Sequence, residues 1–118
     1  MAISKELLDK FKMKQTADLG NLKSHIGEIL PVEKWDFSEY SDVDGKYHKV
    51  LAISVAGTED IYRTEVTAFI EKFATFIDVF GEEPVANRPR IKITGKVSKK
   101  KNDYISFVIV DDDGNEIV

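Results

Sequence analysis

With 118 residues, 42% apolar and 32% charged side chains and a formal net charge of -4, the chain has the make-up of one globular domain around a single core. No run approaches the roughly 18 apolar residues of a membrane span. The opening MAISKELLDKFKMK lacks the apolar core and small-residue cleavage site of a secretory signal, so a cytoplasmic location is expected. Without cysteine there is no disulfide, no thiolate nucleophile and no cysteine-based zinc site.

Taken in chain order, SKELLDKFKMK offers Ser4 as an N-cap and Leu7, Leu8 and Phe11 at helical spacing, which predicts a short N-terminal helix. LKSHIGEILPVEKWDF reads as one long strand, with Gly27 where a strong bend fits and Pro31 at a bulge or edge. Asp44-Gly45 supplies a turn, and KYHKVLAISVAG follows as a strand apolar on both faces, hence central in its sheet. DIYRTEV is a shorter third strand. The period then changes: Val66, Phe69, Ile70, Phe73, Phe76, Ile77 and Phe80 recur at intervals of three and four, one stripe of a helix that Gly81 and Pro84 end. RIKITGKV and DYISFVIV resume the two-residue period around the turn SKKKN and predict a terminal hairpin.

Three antiparallel strands, a helix and two further strands is the order of the five-stranded Greek-key barrel called the OB-fold, mainly β, with its helix between strands 3 and 4. An α+β sandwich with the helix across an open sheet uses the same pattern. No repeat or linker divides the chain, so residues 1–118 are expected to form one domain, with an arm over 1–20, a barrel over 22–110 and a short acidic tail over 111–118.

The charges are segregated. From Ala86 to Tyr104 stand Arg88, Arg90, Lys92, Lys96, Lys99, Lys100 and Lys101, opposed only by Asp103. Acidic residues gather instead in EKWDFSEYSDVDG and in the tail. In the fourth strand Lys92, Thr94 and Lys96 alternate with Ile91, Ile93 and Val97, so the lysines project away from the core as a ridge that can follow phosphates. Lysine on edge strands and hairpin tips also serves simply to block aggregation. Binding of a single strand further requires aromatic faces for bases. Trp35, Phe37, Tyr47, Tyr62 and Tyr104 lie on strands or beside turns, with Arg63 next to Tyr62; for Trp35 and Phe37 core packing and stacking both remain open.

HIGEILPVEKWDF, GKYHKVLAISVAG, IYRTEV before a helix, and RIKITGKVSKKKNDYISFVIV, in which a strand ending Gly-x-Val precedes a basic hairpin, together resemble the small single-stranded DNA-binding proteins built on one OB-fold, especially those of phages of lactic-acid bacteria. The resemblance spans Leu22 to Val110. It implies sequence-independent coating of single strands during replication or recombination, in the host cytoplasm if phage-encoded, by a homodimer or higher homo-oligomer, with replication or recombination proteins as further partners. Where bacterial relatives carry a Gly/Pro-rich linker and an acidic, Phe-terminated peptide, DDDGNEIV follows the last strand directly, so the acidic cluster reads as a solvated turn.

Catalysis has little to work with. His25 and His48 are the only histidines, and there is no phosphate loop or nucleophile elbow. SDVDGK and DDDGNE lack the ladder and terminal glutamate of a calcium loop and read as turns. No enzymatic activity, cofactor or metal is expected. The competing readings are a protein-interaction or assembly module and single-stranded RNA binding, which stacking and phosphate contact do not separate from DNA.

Overall fold

The computed structural model describes residues 2–15, 19–97 and 103–118. Among them run α1 (Lys5–Lys14), β1 (Gly20–Asn21), β2 (Ile29–Leu30), β3 (Val32–Ser41), β4 (Tyr47–Val55), β5 (Ile61–Thr64), α2 (Thr67–Phe80), β6 (Arg90–Val97) and β7 (Asp103–Val110). One sheet has the order β1-β5-β4-β3 and the other β2-β6-β7. No helix is long and apolar enough to cross a membrane among the described residues.

The predicted helices form where the periodicity put them. Ser4 Oγ accepts from Leu7 N and caps α1. The apolar stripe of α2 buries Phe69, Ile70, Phe73 and Phe76, with Val66, Ile77 and Phe80 packed beside them. Phe73 and Phe76 meet Phe107 of β7 edge-on at 6.2 and 6.1 Å, so one aromatic cluster joins α2 to the second sheet. β4 is central as expected, and every residue from Val50 to Val55 is buried.

The expected long strand from Leu22 is broken. Leu22–His25 is a 3-10 turn capped by the Asn21 side chain, which accepts from Lys23 N at 3.0 Å, and Gly27 takes φ +93°. The chain then crosses between the sheets within three residues: Leu30 pairs with Ile91 of β6, and Val32 pairs with Val55 of β4. Pro31 sits between them, where its missing N–H removes no ladder bond, and its carbonyl accepts from Ala56 N at 2.8 Å. A register shift between Val32 and Trp35 completes the bend.

The expected five-stranded barrel is not closed; among the described residues seven strands lie in two sheets. Both edges that closure would join already have partners. β5 takes β1 in parallel, Gly20 against Tyr62 and Asn21 against Arg63. On the edge of β7, Lys72 Nζ of α2 donates to the Phe107 carbonyl, and the chain end returns so that Ile117 N donates to Ile109 O and Ile109 N to Val118 O, each at 2.8 Å. Leu22, fully buried, fills the seam between them. The segment 111–118 is therefore no free tail: it folds back, with a bridge between Val110 and Glu116.

SDVDGK and DDDGNE close as the same turn. In each the first aspartate of D-x-D-G, Asp42 or Asp111, accepts through one carboxylate oxygen from the backbone N–H two and four residues on, at 2.8 to 3.0 Å. Gly45 and Gly114 follow at φ +80° and +83°. Nothing lies within 4 Å of a Cβ built on Gly45, so Gly45→Ala isolates the backbone cost. A loss of about 1 kcal/mol is expected in urea unfolding.

Candidate nucleic-acid interface

β6 and β7 pair in antiparallel register from Arg90 against Val110 to Val97 against Asp103. Ile91, Ile93, Ile105 and Phe107 face the core, at 1% exposure or less. Alternation therefore turns Lys92, Thr94 and Lys96 outward, with Val108, Ser106 and Tyr104 directly across from them. Lys96 and half-buried Tyr104 stand side by side, a cation next to an aromatic ring. Lys92 is one-third exposed and lies 4.0 Å from Glu116 of the returning chain end. Lys99, Lys100 and Lys101 continue the ridge in sequence but lie outside the described residues.

Tyr104 also borders a cleft of about 310 Å³ at the open seam between the sheets, lined by Asn21, Lys23, Thr64 and Asp103. Lys72 adds a cation near this seam. Burial lowers its pKa, and the charge of Lys96 lowers it further, so two ammonium groups repel one another beside β7. Neither Lys23 nor Lys72 stands out in the sequence: Lys72 is a lone lysine beside the apolar stripe of α2, and Lys23 falls within a segment expected to be strand.

The other sequence candidates do not join this face. Arg88 is withdrawn from the ridge: its Nε donates to Phe80 O, one terminal nitrogen to Val32 O and Glu33 O, and the other to Gly81 O and Glu83 O, at 2.7 to 3.4 Å. All five guanidinium donors are thus spent on carbonyls, several at the C-terminal end of α2, and burial pulls the pKa down from its ordinary value. Arg90 likewise donates to the carbonyls of Asp111 and Asp112, clamping the acidic turn. Trp35 has both roles settled by packing, with Arg88 over its ring at 5.0 Å and Phe73 at 6.3 Å.

Phe37 touches Phe73 yet stays 41% exposed, on the wall of a groove of about 550 Å³ shared with Ile70 and Ala74 of α2. Tyr47 is 79% exposed at the start of β4 and keeps a free face, on the other sheet from the ridge. Tyr62 is half-buried on the other sheet from the ridge: it lies 3.9 Å from the His25 ring, a Cβ on Gly20 would come within 3.2 Å of it, and it lines a groove between α1 and β5. Burial and then the Asp60 charge push its phenol pKa up.

Arg63 belongs to a network on the outward face of β3–β5. It donates to Glu65 at 3.0 Å; Tyr40 donates to Glu65 at 2.9 Å and stacks on His48; and His48 Nε2 lies 2.8 Å from Asp42. The His48 contact, then the backbone N–H groups of Lys46 and Asp44, hold the Asp42 carboxyl below its ordinary pKa. A depressed folded-state pKa gives stability that is present above the unfolded value, roughly 3.9, and lost as pH falls through the folded value. The Asp42 carboxyl resonance should therefore titrate below that value in an NMR pH series, and His48→Ala should move the midpoint upward.

No cluster of three or more histidine, aspartate or glutamate side chains suited to a metal ion occurs among the described residues. No protein-family model, curated protein or solved structure matches the chain.

Proposed function

We propose that the chain is a sequence-independent single-stranded DNA-binding module of the OB type, serving DNA replication or recombination. The observation that carries this reading is the outward face of β6–β7, where Lys92 and Lys96 line one strand and Tyr104 stands opposite Lys96; Lys99, Lys100 and Lys101 follow in the sequence. Phosphates lie along the lysines and a base stacks on Tyr104, with the seam cleft beside Tyr104 taking the next nucleotide. A phosphate there also relieves the repulsion between Lys72 and Lys96.

The strand order supports the OB assignment. Followed through the bend at Pro31, hydrogen-bonded neighbours run β5-β4-β3, then β2-β6-β7, with α2 between β5 and β6. This is the order of an OB-fold whose first strand is shared by both sheets and whose seam stays open. OB-folds bind oligonucleotides on the face of strands 2 and 3, which are β4 and β5 in this chain, and with the loops joining strands 1 to 2 and 4 to 5. Here those loops are the Asp42–Lys46 turn, with Tyr47 beside it, and the stretch between β6 and β7 whose sequence carries Lys99, Lys100 and Lys101.

Titration of labelled oligo-dT, followed by fluorescence anisotropy at two salt concentrations, tests the reading. Trp35 is packed under Arg88, so the label belongs on the oligonucleotide. Micromolar or tighter binding at low salt that weakens steeply with salt is expected, and no binding at low salt overturns it. Competition with oligo-U distinguishes DNA from RNA.

A further inference from the structure

The inner side of β4 and β5 is core, so an oligonucleotide on these strands must lie against their outer side. α1 occupies part of that side. It packs against β3 and β4, and Ala52, turned outward by the alternation that sends Leu51 and Ile53 into the core, is nonetheless fully buried. Two ion pairs fix the helix there, Asp9 with Lys34 at 3.1 Å and Lys14 with Asp36 at 3.3 Å, around Met13, 2% exposed. The sheet beside it suits phosphate poorly, because Asp36, Asp42 and Glu65 stand on its outward side against Lys34 and Arg63.

α1 turns a different surface to solvent. Both of its carboxylates, Glu6 and Asp9, share the Met13 side at i, i+3 and i+7. Leu7 and Phe11, each 63% exposed, and Leu8, 44% exposed, lie away from the sheet, bounded along one flank by Lys10 and Lys14 and along the other by Lys5 and Lys12. Among the described residues, Lys14 alone of these four lysines has a carboxylate partner. We infer that this side of α1 is a second contact surface for the single strand, standing in for the sheet face that the helix covers. Phe11 offers a ring to a base, Leu7 and Leu8 add apolar contact, and the flanking lysines neutralise phosphates. The groove of about 540 Å³ between α1 and β5 is lined by Glu59 and Asp60 as well as Phe11, Lys12 and Tyr62, so it receives a base edge, whose amino groups the carboxylates accept, and no phosphate. A net charge of -4 and a stripe of under three turns disfavour an anionic lipid surface as the occupant. The inference rests on the single-strand reading and extends its contacts from β6–β7 to α1.

The test is anisotropy titration of labelled oligo-dT with full-length variants of α1. Phe11→Ala should weaken binding about tenfold and leave the salt slope unchanged, since stacking releases no counterions. Lys10→Glu with Lys12→Glu should take about 1.4 from the slope of log K against log salt. All three side chains are exposed, so the melting temperature should stay where it was. If Lys92→Glu with Lys96→Glu weakens binding while the α1 variants match the unmodified protein, the inference falls and the proposed function stands. Oligo-dT that binds none of these proteins overturns both. Tighter binding by the α1 variants would make the helix a cover over the sheet, and binding to phosphatidylserine vesicles but not to oligo-dT would assign it to lipid; each of these also overturns the inference.

Discussion

Replacing Lys92, Lys96, Lys99, Lys100 and Lys101 together with glutamate is expected to weaken oligo-dT binding roughly 100-fold or more at low salt. Each phosphate neutralised on a single strand contributes about -0.7 to the slope of log K against log salt, so a ridge that engages five gives a slope near -3.5 in the unmodified protein. Lys92→Glu with Lys96→Glu alone should take about 1.4 from that slope. Tyr104→Ala should instead cost about 1 to 3 kcal/mol of affinity and leave the slope as it was, because stacking releases no counterions. Lys92 and Lys96 face outward and the other three fall between β6 and β7 in sequence, so melting temperature should hardly change. Unaltered affinity in the five-fold variant would remove the basis for the proposed function.

The second large effect falls on stability. Arg88→Met keeps most of the aliphatic stem over Trp35 but strips the five carbonyls of Phe80, Gly81, Glu83, Val32 and Glu33 of their donor. Those carbonyls tie the end of α2 to the start of β3, where the chain changes sheets. Partly buried acceptors left without a donor cost about 1 to 3 kcal/mol each when water cannot replace it. Some of these groups will rehydrate, and a total near 4 kcal/mol is expected, a large share of the stability of a small domain. Arg88→Lys should recover little of the loss, since an ammonium has three donors and no planar fork. Thermal and urea unfolding of the two variants measure this. Full recovery by lysine would show that charge alone matters at this position.

The contrast between Arg88 and Lys96 shows how far the sequence reaches. Both stand in one basic run, and composition treats them alike. Alternation along β6 places Lys96 outward correctly, because the pleat depends on chain-local geometry. Arg88 lies before β6 begins, in a segment with no period to read, and its fate depends on carbonyls up to 56 residues away. The aromatics divide in the same manner. The stripe of α2 was legible because four phenylalanines at helical spacing can bury only one face. Whether Trp35, Tyr47 or Tyr62 lay open depended on what α2, Arg88, His25 and Gly20 brought against them.

The amino-acid sequence by itself determined the order of the strands from β3 onward, the terminal hairpin, both D-x-D-G turns, both helices, and the outward ridge on β6. Each follows from side-chain period or backbone preference over a few neighbouring residues. Only the tertiary structure decided that the long first strand begins at Ile29 after a 3-10 turn, that the sheets stay apart along a seam filled by Leu22, and that Lys72 and the returning chain end hold the edge of β7. It also decided that the apolar side of α1 faces away from the core. These outcomes rest on donors, acceptors and surfaces meeting across long stretches of chain, and no local pattern encodes which partner arrives first.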